Sequence, residues 1–400
     1  MPSSLSESPA IAQPASDGGP TRDWNSWLEI SRAAYLGNLR LFRRLVGPDV
    51  ELSAVVKANA YGHGRTLIAR LALDGGADSF CVHSLEEALA LRASGFEQDV
   101  LIMGHVPLSR LEEGIAHGFR LVLYNLESAR ALAERTAGRT VRVHLKLETG
   151  TFRQGILAEQ LDGFLDLLER HPSIQLEGAY THFADIEDTT SHEYAFQQLR
   201  RFEALAARIQ ARRGGPLLRH TACSAATLLF PKTYFDMVRL GIGQYGLWPS
   251  KETFLSYRLE HPDEDPGALR PVLSWKARIS QIKDAPAGSS IGYGQTYRTT
   301  RATRLAILPI GYSDGYDRKL SNQAHVLIRG QRAPVRGRIC MNLTIVDITD
   351  IPGAALEDEA VLIGRQGDEE VRAAQLADWI GTIPYEVVAR VSPDLPRIVV

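Results

Sequence analysis

The chain has 400 residues, of which 44% are hydrophobic, and a formal net charge of −2. This length supports a large core and exceeds one ordinary domain, and the charge excludes a broad basic surface for nucleic acid or anionic membranes. No apolar run approaches the roughly 20 residues that a membrane span needs. Cys81, Cys223 and Cys340 lie far apart, without metal-ligand spacing or a disulfide framework. We therefore expect no metal and a reduced, cytoplasmic setting.

The first 24 residues are rich in Ser, Pro, Ala and Gly. They lack the basic start and the apolar stretch of a secretory signal. Their composition predicts a flexible N-terminal tail.

From about residue 50 to residue 240, short β-branched runs alternate with amphipathic helix patterns. One such helix has Ser84 as a good N-cap and Gly95 as a good stop. The predicted strands are "ELSAVVK", "DSFCV", "DVLIM", "RLVLY", "TVRVHLKLE", "IQLEGAY", "LRHTA" and "DMVRL". Eight strand–helix units predict a parallel (β/α)8 barrel, which we assign to residues 25–260.

The remainder, residues 261–400, is strand-like with glycine and proline turns, and predicts a mostly-β C-terminal domain. Residues 249–270 are rich in proline and charge and could be the linker. The strand-like segment Trp27–Ser31 precedes a helix pattern, and the pattern alone leaves open which domain it joins.

Polar residues gather where the predicted barrel strands end, at the C-terminal face on which such barrels carry their active sites. Lys57 closes the first strand. In the fifth strand His144, Lys146 and Glu148 share one face, which alternation directs into the barrel. Two explanations account for this pattern: an ion pair in which Lys146 and Glu148 satisfy each other, or a functional role.

The segments after the seventh and eighth strands predict a phosphate site, a common feature of this position in barrels. Ser224 could be a helix N-cap whose free amides face an anion. Gly241 and Gly243 allow backbone amides to approach a phosphate closely. Together with an amine at Lys57, a phosphate site suggests pyridoxal phosphate held covalently by a lysine.

The stretch "AVVKANAYGHG" at residues 54–64 resembles the cofactor-lysine motif of bacterial alanine racemases. Six further segments match that family in the same order: "THFAD", "RLGIGQYG", "IGYGQTY", "PIGYSDGY", "GRICMN" and "PYE". The resemblance covers nearly the whole chain after the tail. It implies a pyridoxal phosphate enzyme with an N-terminal (β/α)8 barrel and a C-terminal β domain, acting as a homodimer on a small amino acid.

The resemblance also implies roles for residues of the barrel. Lys57 would bind the cofactor covalently and act as one of two bases. The phosphate would be held by Tyr61, Ser224, Tyr385 and the backbone at Gly241 and Ile242. Arg239 would donate to the pyridine nitrogen, steadied by His182. Arg153 would contact the cofactor's phenolic oxygen and the substrate carboxylate, and Lys146 matches a position that is often carbamylated.

In the C-terminal domain, the resemblance implies that Tyr293 is the second base and serves the active site of the partner subunit. Tyr312 and the Met341 backbone would shape the substrate site, again across the dimer. Two bases on opposite faces of the substrate Cα are the simpler design for racemisation, because a single base would have to cross the plane. Each of Tyr293, Tyr312, Tyr385 and His182 also has an ordinary explanation as a packing residue.

Two departures from the family pattern flank expected site positions. Asn342 stands where Asp is commoner, and Thr151 and Phe152 stand where Met and Gly are commoner. Serine or a broader set of small amino acids therefore remains a possible substrate beside alanine. A decarboxylase of related fold would have its own C-terminal cysteine–acidic motif, and a non-catalytic pyridoxal phosphate carrier would lack the β domain, so both alternatives are disfavoured.

Overall fold

The computed structural model describes residues 23–263 and 268–400, and residues 1–22 of the predicted tail lie outside that range. The chain forms two compact units. The first comprises Ser31–Val272 and Thr382–Pro393, and the second comprises the described residues 23–30 with Leu273–Gly381 and Asp394–Val400. Strand β1 (Ser26–Ile30) thus belongs to the second unit, and the late segment Thr382–Pro393 belongs to the first. The predicted domain boundary at residue 260 does not include this arrangement, in which each unit contains a segment from the other end of the chain.

The first unit contains a parallel sheet of eight strands at the eight predicted places, which confirms the barrel fold. The strands are β2 (Glu51–Val55), β3 (Ser79–Val82), β4 (Val100–Ile102), β5 (Arg120–Leu123), β6 (Val141–Lys146), β7 (Ile174–Tyr180), β8 (Leu218–His220) and β9 (Met237–Leu240). Their order runs from β8 down to β2 and then to β9. Two backbone bonds, Asp236 N to Arg219 O and Arg239 N to Ala222 O, each 3.0 Å long, bridge the seam between β8 and β9.

Helices connect the barrel strands and cover them. They are α1 (Arg32–Val46), α2 (Lys57–Tyr61), α3 (Arg65–Asp74), α4 (Leu85–Ala93), α5 (Leu111–Ala116), α6 (Leu126–Arg135), α7 (Leu161–Arg170), α8 (Glu193–Arg213), α9 (Ser224–Leu229) and α10 (Lys251–Glu260). Ser84 caps α4 as predicted, since its hydroxyl accepts the Glu87 amide. Helix α10 forms within the segment predicted as a linker, and Tyr257 on its buried face packs against the ring of Trp248.

The interior of the barrel has an apolar layer and a charged layer. The apolar layer is a cluster of Val55, Cys81, Leu101, Val122, Tyr180 and Met237. Below it, Arg120 at the start of β5 forms ion pairs with Glu51, Asp99 and Glu177. His144 pairs in register with Val122, so it points inward as the alternation predicts, while Val143 and Leu145 are buried on the other face.

The second unit is mostly β, again as predicted. Its strands after β1 are β10 (Leu273–Arg278), β11 (Gln281–Ala285), β12 (Ser290–Ile291), β13 (Tyr297–Arg298), β14 (Thr303–Leu308), β15 (His325–Ile328), β16 (Gln331–Pro334), β17 (Thr344–Asp347), β18 (Glu359–Gln366), β19 (Glu369–Val371) and β20 (Arg397–Val399). The main sheet has the order β16-β15-β18-β10-β1-β20, with β19 on β18. Helix α11 (Ala373–Ile380) belongs to this unit, and α12 (Pro384–Ala389) to the first.

Among the described residues, none of the helices combines the length and the apolar character needed to cross a membrane.

Candidate active site

Lys57 stands directly after the first barrel strand and opens an unusual backbone segment. The four residues from Ala58 to Tyr61 all have φ between 51° and 53°, so α2 is a left-handed turn. Each residue with a Cβ pays roughly 1–2 kcal/mol for that conformation. Strain of this size persists only where the surroundings hold it, and it concentrates at functional sites.

Three side chains hold the left-handed turn. The Glu87 carboxylate accepts the Ala58 amide at 2.6 Å with one oxygen and the His83 amide at 2.8 Å with the other. His63 Nδ1 donates to the Tyr61 carbonyl oxygen at 2.9 Å, and its ring stacks 4.3 Å from that of Tyr245. The turn after Lys57 is therefore fixed from two sides.

Gly62 ends the turn with φ of 82°, and it also allows a close approach. A Cβ at this position would lie 1.9 Å from the Val388 carbonyl oxygen of α12. Glycine is required here for space as well as for conformation. The contact brings the segment that carries Tyr385 beside the turn that carries Tyr61, with ring centroids 6.1 Å apart.

Four basic side chains crowd the C-terminal mouth of the barrel. Burial, followed by the charge of Arg153, lowers the pKa of the Lys57 amine, while Glu87 opposes the shift. Burial and the charges of Arg153 and Arg239 lower the pKa of Lys146 to about 8. The mouth therefore favours neutral amines, the form in which a lysine can act as a base or a nucleophile.

Lys146 does not pair with Glu148. Its Nζ donates to Gln154 Oε1 at 3.0 Å, whereas the Glu148 carboxylate accepts the amides of Gly150 and Thr151 at 2.6 and 2.7 Å. Of the two explanations that the sequence allows, the self-satisfied ion pair is excluded by these partners.

The segments after β8 and β9 meet at the Ser224 hydroxyl. Its Oγ accepts the amides of Gly241 and Gly243 at 3.0 and 3.1 Å. The prediction that Ser224 is the N-cap is wrong, because Cys223 occupies the cap and Ser224 is the first residue of α9. Its hydroxyl instead ties the two glycine amides to the start of that helix. Ile242 follows as a fully buried residue that opens the 3-10 turn Ile242–Tyr245.

Two hydroxyl groups lie close to Gly241. A Cβ on Gly241 would be 3.0 Å from Tyr61 Oη and 3.8 Å from Ser224 Oγ. On the side of α12, the Tyr385 hydroxyl donates to Glu187 Oε2 at 2.8 Å. Burial raises the pKa of Glu187, and the hydrogen bond from Tyr385 opposes that shift.

Arg239 is 4% exposed and lies at the centre of the mouth. One nitrogen donates to His220 Nδ1 at 2.5 Å, and the other donates to the Thr181 carbonyl oxygen at 2.9 Å. The imidazole that contacts this guanidinium is His220, and the role of His182 beside Arg239 stays a prediction. His220 ends β8, and β8 lies across the seam from β9, the strand that carries Arg239.

The loop that carries Arg153 has a second strained residue. Phe152 is 80% exposed and has φ of 50°, a backbone conformation that glycine adopts with less strain. Thr151 Oγ1 donates to the His182 carbonyl oxygen at 2.6 Å. Burial, with the charges of Arg239 and Arg153, lowers the pKa of His182 well below its usual value. This imidazole is therefore neutral.

In the second unit, two predicted site residues lie side by side. The Tyr312 amide donates to the Cys340 carbonyl oxygen at 3.1 Å, and Ser313 donates to the Met341 carbonyl oxygen through both its amide and its hydroxyl. Asn342 Nδ2 donates to Ser313 Oγ at 2.8 Å. The departure at position 342 thus supports the loop that presents Met341.

Tyr293 lies nearby in the same unit, in the 3-10 turn Tyr293–Gln295. A Cβ on its neighbour Gly294 would be 2.9 Å from a guanidinium nitrogen of Arg338, so the segment of Tyr293 packs against the segment of Met341. Tyr293, Tyr312 and Met341 are 71%, 42% and 56% exposed within this chain. These three side chains are therefore available to another molecule.

Three residues of the barrel mouth escaped prediction from the sequence: Glu87, Glu187 and His220. Ser84 and Glu87 have the spacing of a capping box, which flags Glu87 as a backbone-binding carboxylate but not its bond to Ala58. Strand alternation in "LRHTA" could have placed His220 inside the barrel. No pattern in the sequence marks Glu187.

Comparisons with known proteins agree over nearly the whole described chain. The family described as alanine racemase, N-terminal domain, matches residues 30–249, and the family described as alanine racemase, C-terminal domain, matches residues 272–399. An alanine racemase from Leptospira interrogans is 42% identical over 379 residues, covering 94% of this chain and 96% of the relative. One from Symbiobacterium thermophilum is 40% identical, covering 93% and 96%.

Solved structures show the same relationship. An alanine racemase from Bacillus anthracis, solved with bound L-Ala-P, has a TM-score of 0.87 at 35% identity and covers 94% of this chain and 95% of its own. An alanine racemase from Streptomyces coelicolor has a TM-score of 0.86 at 34% identity, with coverage of 94% and 98%. The matches span both units, and the chain therefore belongs to the alanine racemase family, a family of isomerases.

Proposed function

We propose that this chain interconverts L- and D-alanine by a two-base mechanism that uses pyridoxal phosphate. Membership of the alanine racemase family supports the reaction. The observation that carries the chemistry is the position of Lys57, an amine with a lowered pKa that opens a strained turn. The last residue of that turn, Tyr61, has its hydroxyl close to Gly241.

The residues of the mouth fit the proposed cofactor. The hydroxyls of Tyr61 and Ser224 lie close to Gly241, and the Tyr385 ring lies beside that of Tyr61. A phosphate accepts hydrogen bonds from such hydroxyls. Within the described part of the chain, the Tyr180 hydroxyl is buried at the mouth without a hydrogen-bond partner. Such an orphaned polar group is typical of a site built for a ligand.

In this proposal, Lys57 binds the cofactor covalently, and the phosphate is held by Tyr61, Ser224, Tyr385 and the backbone at Gly241 and Ile242. When bound, pyridoxal phosphate supplies an electron sink that stabilises the negative charge left at the substrate Cα. Arg239 faces the pyridine nitrogen, with His182 as a neighbour of the same site. A guanidinium effectively never gives up its proton, so Arg239 donates a hydrogen bond without protonating that nitrogen.

Lys57 is the proposed base on one face of Cα, because its lowered pKa favours the neutral amine. The second base is Tyr293 of the partner subunit, which removes or returns the proton on the opposite face. The high exposure of Tyr293 within one chain supports such a shared site. The protein would then act as a homodimer, with Tyr312 and the Met341 backbone also lining the substrate site of the other subunit.

Arg153 is the proposed partner of the substrate carboxylate and of the cofactor's phenolic oxygen. Its exposed side chain has no resolved hydrogen bond to other described residues, which leaves its guanidinium available. Lys146 is proposed to be carbamylated: its amine adds to carbon dioxide, forms a carbamate and releases a proton. A pKa of about 8 supports this step, since the neutral amine is the reactive form. The resulting anion would orient Arg153.

Alanine is the proposed substrate, and serine or a broader set of small amino acids is the alternative. Thr151, Phe152 and Asn342 depart from the common pattern beside Arg153 and Met341. The free cysteines are compatible with the cytoplasmic setting that the sequence predicts, which stays part of this proposal.

The test is incubation of the purified protein, loaded with pyridoxal phosphate, with L-alanine and separately with L-serine, followed by chiral analysis. The proposal expects D-alanine to form faster than D-serine. Formation of D-serine alone would show that serine, and not alanine, is the substrate. Loss of carbon dioxide from either amino acid would show that the protein is a decarboxylase and not a racemase. A Lys57→Ala variant should form no product and retain no cofactor after borohydride reduction.

A further inference from the structure

A chain of hydrogen bonds runs from Arg239 through the inside of the barrel. Arg239 Nη1 contacts His220 Nδ1 at 2.5 Å, and His220 Nε2 contacts His144 Nδ1 at 2.8 Å. His144 Nε2 then contacts Glu177 Oε2 at 2.9 Å. Both imidazoles are completely buried. The four groups thus connect the mouth with the charged layer below it.

The donors and acceptors along this chain permit one arrangement of protons. A guanidinium only donates, so His220 Nδ1 must accept and its proton must lie on Nε2. That proton is donated to His144 Nδ1, which leaves the His144 proton on Nε2, facing the Glu177 carboxylate. Burial lowers the pKa of both histidines, so each carries a single proton. The direction therefore runs from Arg239 to Glu177.

Local backbone features aim Glu177 at His144. The pairing of β6 with β7 shifts register after Val143, so that Glu177 is the extra residue of a bulge. Bulges re-aim side chains in this way. The next residue, Gly178, leaves room for the imidazole, since a Cβ there would lie 2.9 Å from two atoms of the His144 ring.

The Glu177 end of the chain is anchored by cations. Arg120 Nε lies 2.9 Å from Glu177 Oε2, and Arg142 Nη1 lies 3.4 Å from Oε1. Burial raises the pKa of Glu177, but the bond from His144 and the charge of Arg120 outweigh it, so the carboxylate is ionised. An ionised carboxylate can only accept, which fixes the proton of His144 on Nε2.

At the other end, Arg239 is a buried cation without a counter-ion in contact. Within residues 23–263 and 268–400, no carboxylate lies within ion-pair distance of its guanidinium, and its partners are neutral acceptors. The Tyr180 ring stacks on His220 with centroids 4.6 Å apart and lies 4.9 Å from Arg239 Cζ. The two imidazoles extend the reach of the Glu177 carboxylate to this cation.

We propose that Glu177 is a remote positioning residue, which fixes the protons of His144 and His220 and thereby orients the Arg239 guanidinium toward the mouth. The effect on turnover rests on the proposed function, in which Arg239 faces the cofactor. The arrangement of protons is independent of turnover and can be measured without it.

Glu177→Gln should reverse the direction of hydrogen-bond donation between Glu177 and Arg239. Arg120 Nη2 and Arg142 Nη1 both donate to Glu177 Oε1, so they retain the amide oxygen at that position. The amide NH2 group then takes the place of Oε2, which faces His144, and the contact with Arg120 Nε is lost. His144 Nε2 must then accept, and its proton moves to Nδ1. His220 Nε2 then accepts the hydrogen bond from His144, and the His220 proton lies on Nδ1. There the His220 N–H faces an N–H of Arg239, and the two donors repel each other.

The measurement is the set of imidazole ¹⁵N chemical shifts in histidine-labelled holoenzyme, with resonances assigned through His144→Gln and His220→Gln. In the unsubstituted protein, both imidazoles should be neutral with the proton on Nε2. Glu177→Gln should move the His220 proton to Nδ1, shift the cofactor absorbance and lower kcat/KM for alanine by about tenfold or more, as losses of positioning partners often do. Glu177→Asp keeps a carboxylate and should retain the original protons.

Asp99→Asn is the matched control, because Asp99 contacts the same two arginines and neither histidine. It should leave the shifts and the absorbance unchanged. A His220 proton on Nδ1 in the unsubstituted protein would overturn the proposal, and so would a folded Glu177→Gln variant with unchanged protons. If Glu177→Gln does not fold, the position of the His220 proton in the unsubstituted protein and in Glu177→Asp tests the proposal. Absence of alanine racemisation by the unsubstituted holoenzyme would contradict the proposed function alone.

Discussion

The Glu87 carboxylate binds the amide of Ala58, the residue that follows Lys57, at a distance of 2.6 Å. A helix outside the barrel thereby holds the left-handed turn that presents the amine. The same carboxylate also raises the pKa of Lys57, against the larger effects of burial and Arg153. Glu87 thus affects both the position and the protonation of this lysine.

Glu87→Gln should weaken the turn, because an amide side chain has only one oxygen for the two backbone N–H groups that Glu87 binds. We expect the free energy of unfolding to fall by about 1 kcal/mol and the affinity for pyridoxal phosphate to fall with it. Urea unfolding and cofactor titration measure the two effects. Glu86→Gln is the control, since Glu86 pairs with Arg110 instead. Equal effects of both substitutions would contradict the role of Glu87.

Gly62→Ala should disrupt the contact between the turn and α12. The new Cβ would lie 1.9 Å from the Val388 carbonyl oxygen, in addition to the strain of φ at 82°. Gly95→Ala separates the two costs, because Gly95 has φ of 84° and no atom within 4 Å of a Cβ. We expect about 1 kcal/mol of destabilisation at Gly95 and at least twice as much at Gly62. Similar losses at both positions in urea unfolding would show that the contact is unimportant.

The Lys146 amine predicts a pH dependence of stability. Its pKa is about 8 in the folded chain and 10.5 ordinarily, so between these values the unfolded chain binds more protons. Stability from this group therefore rises with pH through that window, by about 3 kcal/mol in total. Lys146→Met should reduce the rise in carbon dioxide-free buffer and leave the share that the lowered pKa of Lys57 contributes, whereas Lys283→Met, at an exposed site, should keep the whole rise. An unchanged pH profile of unfolding in Lys146→Met would refute the prediction.

Subunit mixing tests the proposed sharing of active sites. In a heterodimer of Lys57→Ala and Tyr293→Phe, one site would carry both substitutions and the other would carry neither. Random exchange between the two inactive variants should therefore restore about a quarter of the original activity. Confirmed heterodimers that stay inactive would indicate that Lys57 and Tyr293 act within one subunit.

The sequence predicts the barrel well, because each strand and each helix cap is a local pattern. The eight strands follow from short β-branched runs, the inward face of β6 follows from the alternation of its side chains, and Ser84 follows from capping chemistry. The position of β1 does not, because its partners in β10 and β20 are about 245 and 370 residues further along the chain. Pairing across such separations leaves no mark in a short window of sequence.

The position of Lys57 at the end of the first barrel strand was predictable, because one residue at one strand end sufficed. The site was not predictable where function depends on contacts between distant elements. The bond between Arg239 and His220 crosses the seam of the barrel, and Tyr385 returns to the barrel unit from late in the chain. The Ser224 hydroxyl accepts hydrogen bonds from two glycine amides and does not cap its helix. This arrangement depends on two loops that meet only in the folded chain.

The central claim is that Lys57 and Tyr293 serve opposite faces of the substrate Cα. The most direct measurement is the exchange of the Cα proton with solvent deuterium, started separately from L-alanine and D-alanine, in the unsubstituted holoenzyme and in Tyr293→Phe. The account predicts that Tyr293→Phe loses exchange from one enantiomer and retains it from the other, where Lys57 still acts. Equal exchange from both enantiomers, whether fully retained or equally reduced, would contradict the two-base mechanism.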